Sequence, residues 1–203
     1  MSATASVDPR RQRHDDKRAW IVASAWELAQ EQGLAGLSLR ALAARVGLRQ
    51  PSLYAYFGSK NDLYDAMFAH GNEQLLAWFD DLALPTDGAE ALRAFSVKLM
   101  AFFTGNAMRY ELMFERTLPG FEPSPASFAL AQRFYDRMRE EVLVPAGVRT
   151  SEQIDVYVAL MAGIAAAQLA NEPGGQRWTR HVDWVIDMFL REITRRRRPR
   201  GGR

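Results

Sequence analysis

LSLRALAARVGLRQPSLYAYFGSK, residues 37–60, sets two short helical periods on either side of a glycine. Ser38 is placed to cap a helix over residues 39–46, because its hydroxyl can accept from a free first-turn N–H, and Gly47 is placed to close it. Pro51 suits the first turn of a following helix that runs to Phe57, where Gly58 and Ser59 break it. Leu39, Leu42, Val46, Leu48, Leu53 and Phe57 can turn inward together, the last two spaced i, i+4. Arg40, Arg49, Gln50, Ser52, Tyr54 and Tyr56 are left outside. Guanidinium, amide, hydroxyl and phenol groups on a short second helix are what a major groove asks of a recognition helix. A hairpin used only for packing has little need of two exposed tyrosines.

Working outward, residues 19–32 carry Ile21, Val22, Ala25, Trp26, Leu28 and Ala29 on one broad stripe, and Gly33 ends that helix. Three short helices thus fall within about fifty residues. Beyond Asn61 the expected helices lengthen: 62–80, 89–104, 107–117, 126–144, 152–171 and 179–195, separated by breaks rich in Pro and Gly. No β-period alternation competes with them. The expected fold is all-α, a three-helix N-terminal helix-turn-helix domain followed by a six-helix C-terminal domain. The expected divisions are a flexible arm over 1–13, a DNA-binding domain over 14–61, an effector-binding and dimerisation domain over 62–195, and a basic disordered tail over 196–203.

Charge is distributed unevenly. The whole chain carries a formal +2, yet residues 1–60 hold nine Lys/Arg against five Asp/Glu, residues 61–190 ten against eighteen, and residues 191–203 seven against one. A basic end beside an acidic body fits contact with a polyanion at that end. The absence of cysteine excludes disulfides, thiolate metal sites and a cysteine nucleophile, and the three histidines, His14, His70 and His181, lack ligand spacing. No metal and no cofactor is expected. No stretch is read as approaching the roughly 20 apolar residues of a membrane span, and no signal peptide is recognised, so the expected location is the cytoplasm.

The segment from Ser38 through Gly47 to Leu53-Tyr54-Ala55-Tyr56-Phe57 and Ser59-Lys60 resembles the TetR family of transcription regulators, and the likeness covers roughly residues 15–68. The resemblance implies that Ser38, Tyr54, Tyr56 and Lys60 contact phosphates and set register. It makes Arg49, Gln50 and Ser52, at the start of the third helix, the candidates for base edges, with Arg40 able to do either. Arg49 stands where many members have a capping Ser, and Ala55 where many have a polar aromatic or His. The implied function is a ligand-released repressor that binds a palindromic operator in double-stranded DNA.

The later helices resemble the family's divergent effector and dimerisation domain in number and order, and PGGQRWTRHVDWVIDMFL, residues 173–190, resembles its C-terminal region in some members. There the last two long helices pair with the same two of a second subunit. On that basis Met161, Ala165, Gln168, Val185, Met188 and Phe189 are expected at a homodimer interface. Large adaptable side chains in the central helices suit an apolar or aromatic small-molecule effector. Met113 and Phe114, beside the Pro-rich break at 119–125, are the first choices, followed by Trp78, Phe102, Phe103, Tyr110, Met138 and Tyr157. Two other classes stay open: a nonspecific or architectural DNA-binding protein using the basic arm and tail, and an all-helical enzyme acting on a hydrophobic small molecule. For the enzyme, no nucleophile and base pair stands out in the sequence, so none is expected.

Overall fold

Asp8 opens the first helix by accepting, through its carboxylate, the backbone N–H of Arg10 at 2.9 Å, with Pro9 at the first helical position. This is a computed structural model, and it describes residues 8–197. The arm expected over residues 1–13 is therefore helical from Pro9 onward, because a cap and a proline start the helix there; residues 1–7 and 198–203 lie outside the described residues.

The helices are α1 (Pro9–Gly36), α2 (Leu39–Arg45), α3 (Gln50–Leu53), α4 (Lys60–Asp80), α5 (Gly88–Thr104), α6 (Ala107–Phe114), α7 (Pro125–Arg137), α8 (Ser151–Asn171) and α9 (Val182–Arg197). A π-helical turn (Met138–Leu143) follows α7, and a 3-10 turn (Thr179–His181) precedes α9. Among the described residues there is no strand. The chain divides into two compact units: residues up to Gly71 with Glu111–Phe128, and Asn72–Tyr110 with the described residues from Ala129 onward.

In the first unit, α1 buries Ile21, Val22, Ala25, Leu28 and Ala29, and the hairpin buries Leu37, Leu42, Leu53 and Phe57. Each fully buried aliphatic or aromatic side chain contributes roughly 1.5–3 kcal/mol, which anchors a hairpin too short to hold itself. Ser38 caps α2 through its hydroxyl, which accepts from Ala41 N–H at 3.1 Å. Gly47 turns the chain with φ +63°, a conformation that strains any residue with a Cβ. Gly33 breaks α1 with φ 76°, ψ 160°, and one further turn reaches Gly36. The third helix is shorter than the expected run to Phe57: α3 stops at Leu53 and turns continue to Tyr56. Arg49 occupies its N-cap without a side-chain capping bond, so little fixes the first turn besides Pro51.

The first unit also departs from the expected boundary at residue 61. The Glu111–Phe128 segment joins it because α4 binds that segment: Asn61 Nδ2 donates to Gly120 O at 3.0 Å, and the Asp65 carboxylate accepts from Ser124 N–H at 2.7 Å.

In the second unit, α5 packs against α8, α9 and the π-turn. Gly88 begins α5 hard against Pro145, whose carbonyl oxygen would sit 2.3 Å from any added Cβ. Thr150 and Gln153 form a reciprocal capping box at the start of α8. The helix expected to continue to Val144 widens at Met138 instead, and the extra residue in that turn lets Met138, Val142 and Leu143 all face the core. At 21 residues α8 is, by length and composition alone, long and apolar enough to cross a membrane, contrary to the sequence expectation. In the second unit it buries Ile154, Tyr157, Met161 and Ala165, and its first turn carries Glu152.

Candidate nucleic-acid interface and ligand cavity

Burial of Leu53 and Phe57 leaves Arg49, Gln50, Ser52 and Tyr54 exposed around α3, Tyr54 at 48%. Arg40 is exposed on α2. Tyr56 is half-buried and stacks on His14, with ring centroids 4.8 Å apart and planes 17° from parallel. Nothing in the sequence ties those two residues together, since they lie 42 positions apart. His14 brings the N-terminal turns of α1 to the hairpin; Arg11 and Arg18, three residues before it and four after, share its helix face. Arg18 lies over the Phe57 ring, 5.1 Å from its centroid.

Two cations of the first unit are already engaged. Lys60 Nζ donates to Ala35 O at 3.0 Å, which holds one of its three N–H bonds and leaves the others for a phosphate. Arg45 binds Glu31 at 2.5 Å and approaches Glu27 at 3.7 Å. The hydrogen bond that Arg45 donates to the Glu31 carboxylate raises the guanidinium pKa and fixes Arg45 to α1, away from any role in reading a ligand.

A cavity of about 340 Å³ lies within the first unit. Met113 and Phe114 line it, together with Phe68, Leu112, Leu118, Phe121, Pro123 and Phe128. Glu115, Arg116 and Glu122 bring charge to the wall. The wall is fastened to α4 at several points. Beyond its bond to Ser124 N–H, Asp65 accepts from the hydroxyls of Ser124 and Ser127, both at 2.9 Å. Tyr64 meets Phe121 edge-on at 5.6 Å, and its buried hydroxyl donates to Leu34 O, just ahead of the hairpin, at 2.6 Å.

The other six effector candidates lie in the second unit and do not line this cavity. Trp78 packs on Phe102 at 5.3 Å, Phe103 on Tyr110 at 5.5 Å, and Met138 is buried. Tyr157 is fully buried with its hydroxyl 3.0 Å from Ser96 Oγ, and burial pushes its phenol well above the usual range. Phe103, Tyr110, Met138 and Tyr157 fill core, whereas Trp78 and Phe102 are half-buried. The interface candidates also need correction: Met161, Ala165, Gln168 and Phe189 are buried in their own unit and cannot offer a face to a second chain. Gln168 is a staple instead, its amide donating to Glu172 O and accepting from Trp178 N–H at 2.9 Å and Thr179 N–H at 3.3 Å. Val185 is half-buried and Met188 is 41% exposed; Trp184 on α9, at 60%, and Val156 on α8, at 51%, are also exposed.

A two-helix hairpin with a polar, exposed third helix, in an otherwise all-helical chain, defines a helix-turn-helix protein. Residues 21–67 match the family described as bacterial regulatory proteins, tetR family. Over those residues the chain is similar to that family. It is 33% identical to the class D tetracycline repressor protein of Escherichia coli over 93 residues, covering 46% of this chain and 37% of the repressor. It is 25% identical to an HTH-type transcriptional regulator of Mycobacterium tuberculosis over 172 residues, covering 83% of this chain and 66% of the relative. The chain therefore spans less than two thirds of the length of either relative. In fold it is similar to the TetR family transcriptional regulator PfmR from Thermus thermophilus, with TM-score 0.61, 23% identity, and 84% and 97% of the two chains covered. It is also similar to AibR, solved in complex with isovaleryl coenzyme A and operator DNA, with TM-score 0.62, 20% identity, and 85% and 97% covered.

Proposed function

We propose that the protein is a sequence-specific transcription regulator, a repressor that binds a palindromic operator as a homodimer in the cytoplasm and is released by a small apolar or aromatic molecule. The observation that carries this reading is the exposed surface of α3, where Arg49, Gln50 and Ser52 stand free over a hairpin locked by Leu53 and Phe57. Arg can pair bidentately with guanine O6 and N7, Gln with adenine N6 and N7, and Ser with either. Ser38, Tyr54, Tyr56 and Lys60 supply phosphate contacts around them, and Arg40 flanks them.

Release is assigned to the cavity beside Phe121. A molecule there moves the 115–124 wall, and the wall's bonds to Asn61 and Asp65 carry that movement to α4. Tyr64 passes it to Leu34 at the entrance to the hairpin. A ligand shifts DNA affinity only if it prefers one arrangement over another, so the wall must differ between the bound and released states. In a dimer, two recognition helices fit successive major grooves only when about 34–36 Å apart, and a small movement of α4 is enough to spoil that fit.

Selecting bound fragments from random DNA and sequencing them tests the proposal. The expected result is one enriched motif with two-fold symmetry. Recovery of unrelated sequences with steep salt dependence would identify nonspecific coating of DNA and overturn the reading.

A further inference from the structure

We infer that the second unit carries a separate site for an aromatic carboxylate, built on Arg109 of α6 with Trp78 and Phe102 beside it. The site goes beyond the proposed effector cavity and shares no residue with it. Arg109 is held by three helices. Its Nη1 donates to Gln74 Oε1 on α4 at 3.1 Å, its Nη2 donates to the Phe102 carbonyl on α5 at 3.1 Å, and its guanidinium carbon stands 4.0 Å from the centre of the Phe102 ring. The side chain is thereby fixed before any ligand arrives, which lowers the entropy cost of binding one.

Every one of those partners is neutral. Elsewhere in the fold, arginines that lose water are matched by carboxylates: Arg45 by Glu31, Arg93 by Asp187, and Arg137 by Asp80 and Glu141. Arg109 is half-buried too, yet among the described residues it has no carboxylate partner, and burial holds its guanidinium below the usual range. Its close neighbour in sequence, Glu111, accepts from the Thr117 hydroxyl at 2.8 Å instead. A desolvated cation without a counter-ion gains more from an arriving anion than a hydrated one does. Arginine has five N–H donors, so the bonds to Gln74 and Phe102 leave three for a planar carboxylate to engage in pairs. The aromatic part of the class comes from Trp78 and Phe102, whose rings lie 5.3 Å apart. Both are half-buried, so each keeps apolar surface in water that an aryl group laid alongside would cover. Gln74 is exposed, which leaves the guanidinium open to solvent along the α4 edge.

Calorimetric titration of the full chain with 2-naphthoate, 2-naphthamide and acetate separates the charge from the ring. Naphthoate is expected to bind about tenfold or more tightly than either of the others, since the amide lacks the charge and acetate lacks the aryl group. Arg109→Gln is expected to weaken naphthoate about tenfold or more and to leave the amide unaffected. Arg109→Lys keeps the charge but not the fork, and is expected to weaken naphthoate severalfold; it carries the test if the glutamine variant does not fold by circular dichroism. Phe121→Ala, in the first unit's cavity, is expected to leave naphthoate binding unchanged. Naphthoate that does not bind, that binds no better than the amide or acetate, or that binds both Arg109 variants as it binds the parent chain overturns the site. Loss of naphthoate binding in Phe121→Ala would move the anion to the first unit's cavity and overturn it as well.

Discussion

Gln50 and Tyr54 sit four residues apart on the exposed side of the recognition segment, yet they are assigned different work. Gln50 lies at the N-terminal end of α3, where an amide reaches base edges, whereas Tyr54 at its C-terminal cap has a phenol suited to a phosphate. Gln50→Ala is therefore expected to relax preference at one base position at a cost of about 1–3 kcal/mol on the operator and little on random DNA. Tyr54→Ala is expected to weaken binding to every sequence alike. Fluorescence anisotropy with operator and scrambled duplexes reads both; equal losses on the two duplexes for Gln50→Ala would remove it from base readout. Gln168 shows how far a residue's chemical type can mislead. A polar amide on an alanine-rich helix suggests a surface seam, but the side chain is buried and fully bonded. Gln168→Leu strands the Trp178 N–H and Glu172 carbonyl, so urea denaturation should show a loss of about 1–3 kcal/mol.

At the scale of elements, the Asp65 clamp is the feature the sequence could not announce. It joins α4 to the start of α7 across 59 residues, with one carboxylate receiving a backbone N–H and two hydroxyls. Bonds to an ionised acceptor are about twice as strong as neutral ones, which suits a clamp holding a long loop. Asp65→Ala is expected to raise hydrogen exchange at the amides of 118–127 severalfold while Leu42 and Leu53 stay protected; unchanged exchange in the loop would show that something else holds it. The helices themselves were legible because Gly33, Gly47, Pro51 and Pro125 punctuate the chain through backbone geometry that acts locally. Of the wall, Met113 and Phe114 stand out in the sequence because they adjoin the Pro-rich break. Phe68, Phe121 and Phe128 come to it from three different elements, and composition does not separate an aromatic that lines a space from one that fills a core. The widened turn at Met138 was hidden for a related reason, since core packing and not propensity decides where a helix takes an extra residue.

For the whole molecule, the proposed homodimer requires a surface on which two copies can pair. Helix α8 is apolar on nearly every side, so its periodicity could not tell inner from outer residues, and Met161 and Ala165 proved to be inner. Exposed positions recur along each of the two helices, Val156, Ala159 and Gly163 on α8 and Trp184 and Met188 on α9. A Cβ added at Gly163 would meet no other atom, so this part of α8 is open for another backbone to approach closely. Trp184 is 60% exposed, and tryptophan is among the residues that most often dominate an interface when a partner buries them. Stable homodimers bury about 800 Å² or more per partner, and two adjoining helix faces supply an area of that order. Trp184→Arg combined with Met188→Glu replaces two exposed side chains without touching the buried core, so circular dichroism should report a folded chain. Sedimentation should then show the mass halved to that of a monomer. Affinity for a two-fold operator is expected to fall about 100-fold or more, because each copy must bind its half-site without the other's effective concentration, while affinity for a single half-site stays unchanged. A dimer that persists in the double variant would place the pairing surface elsewhere on the molecule.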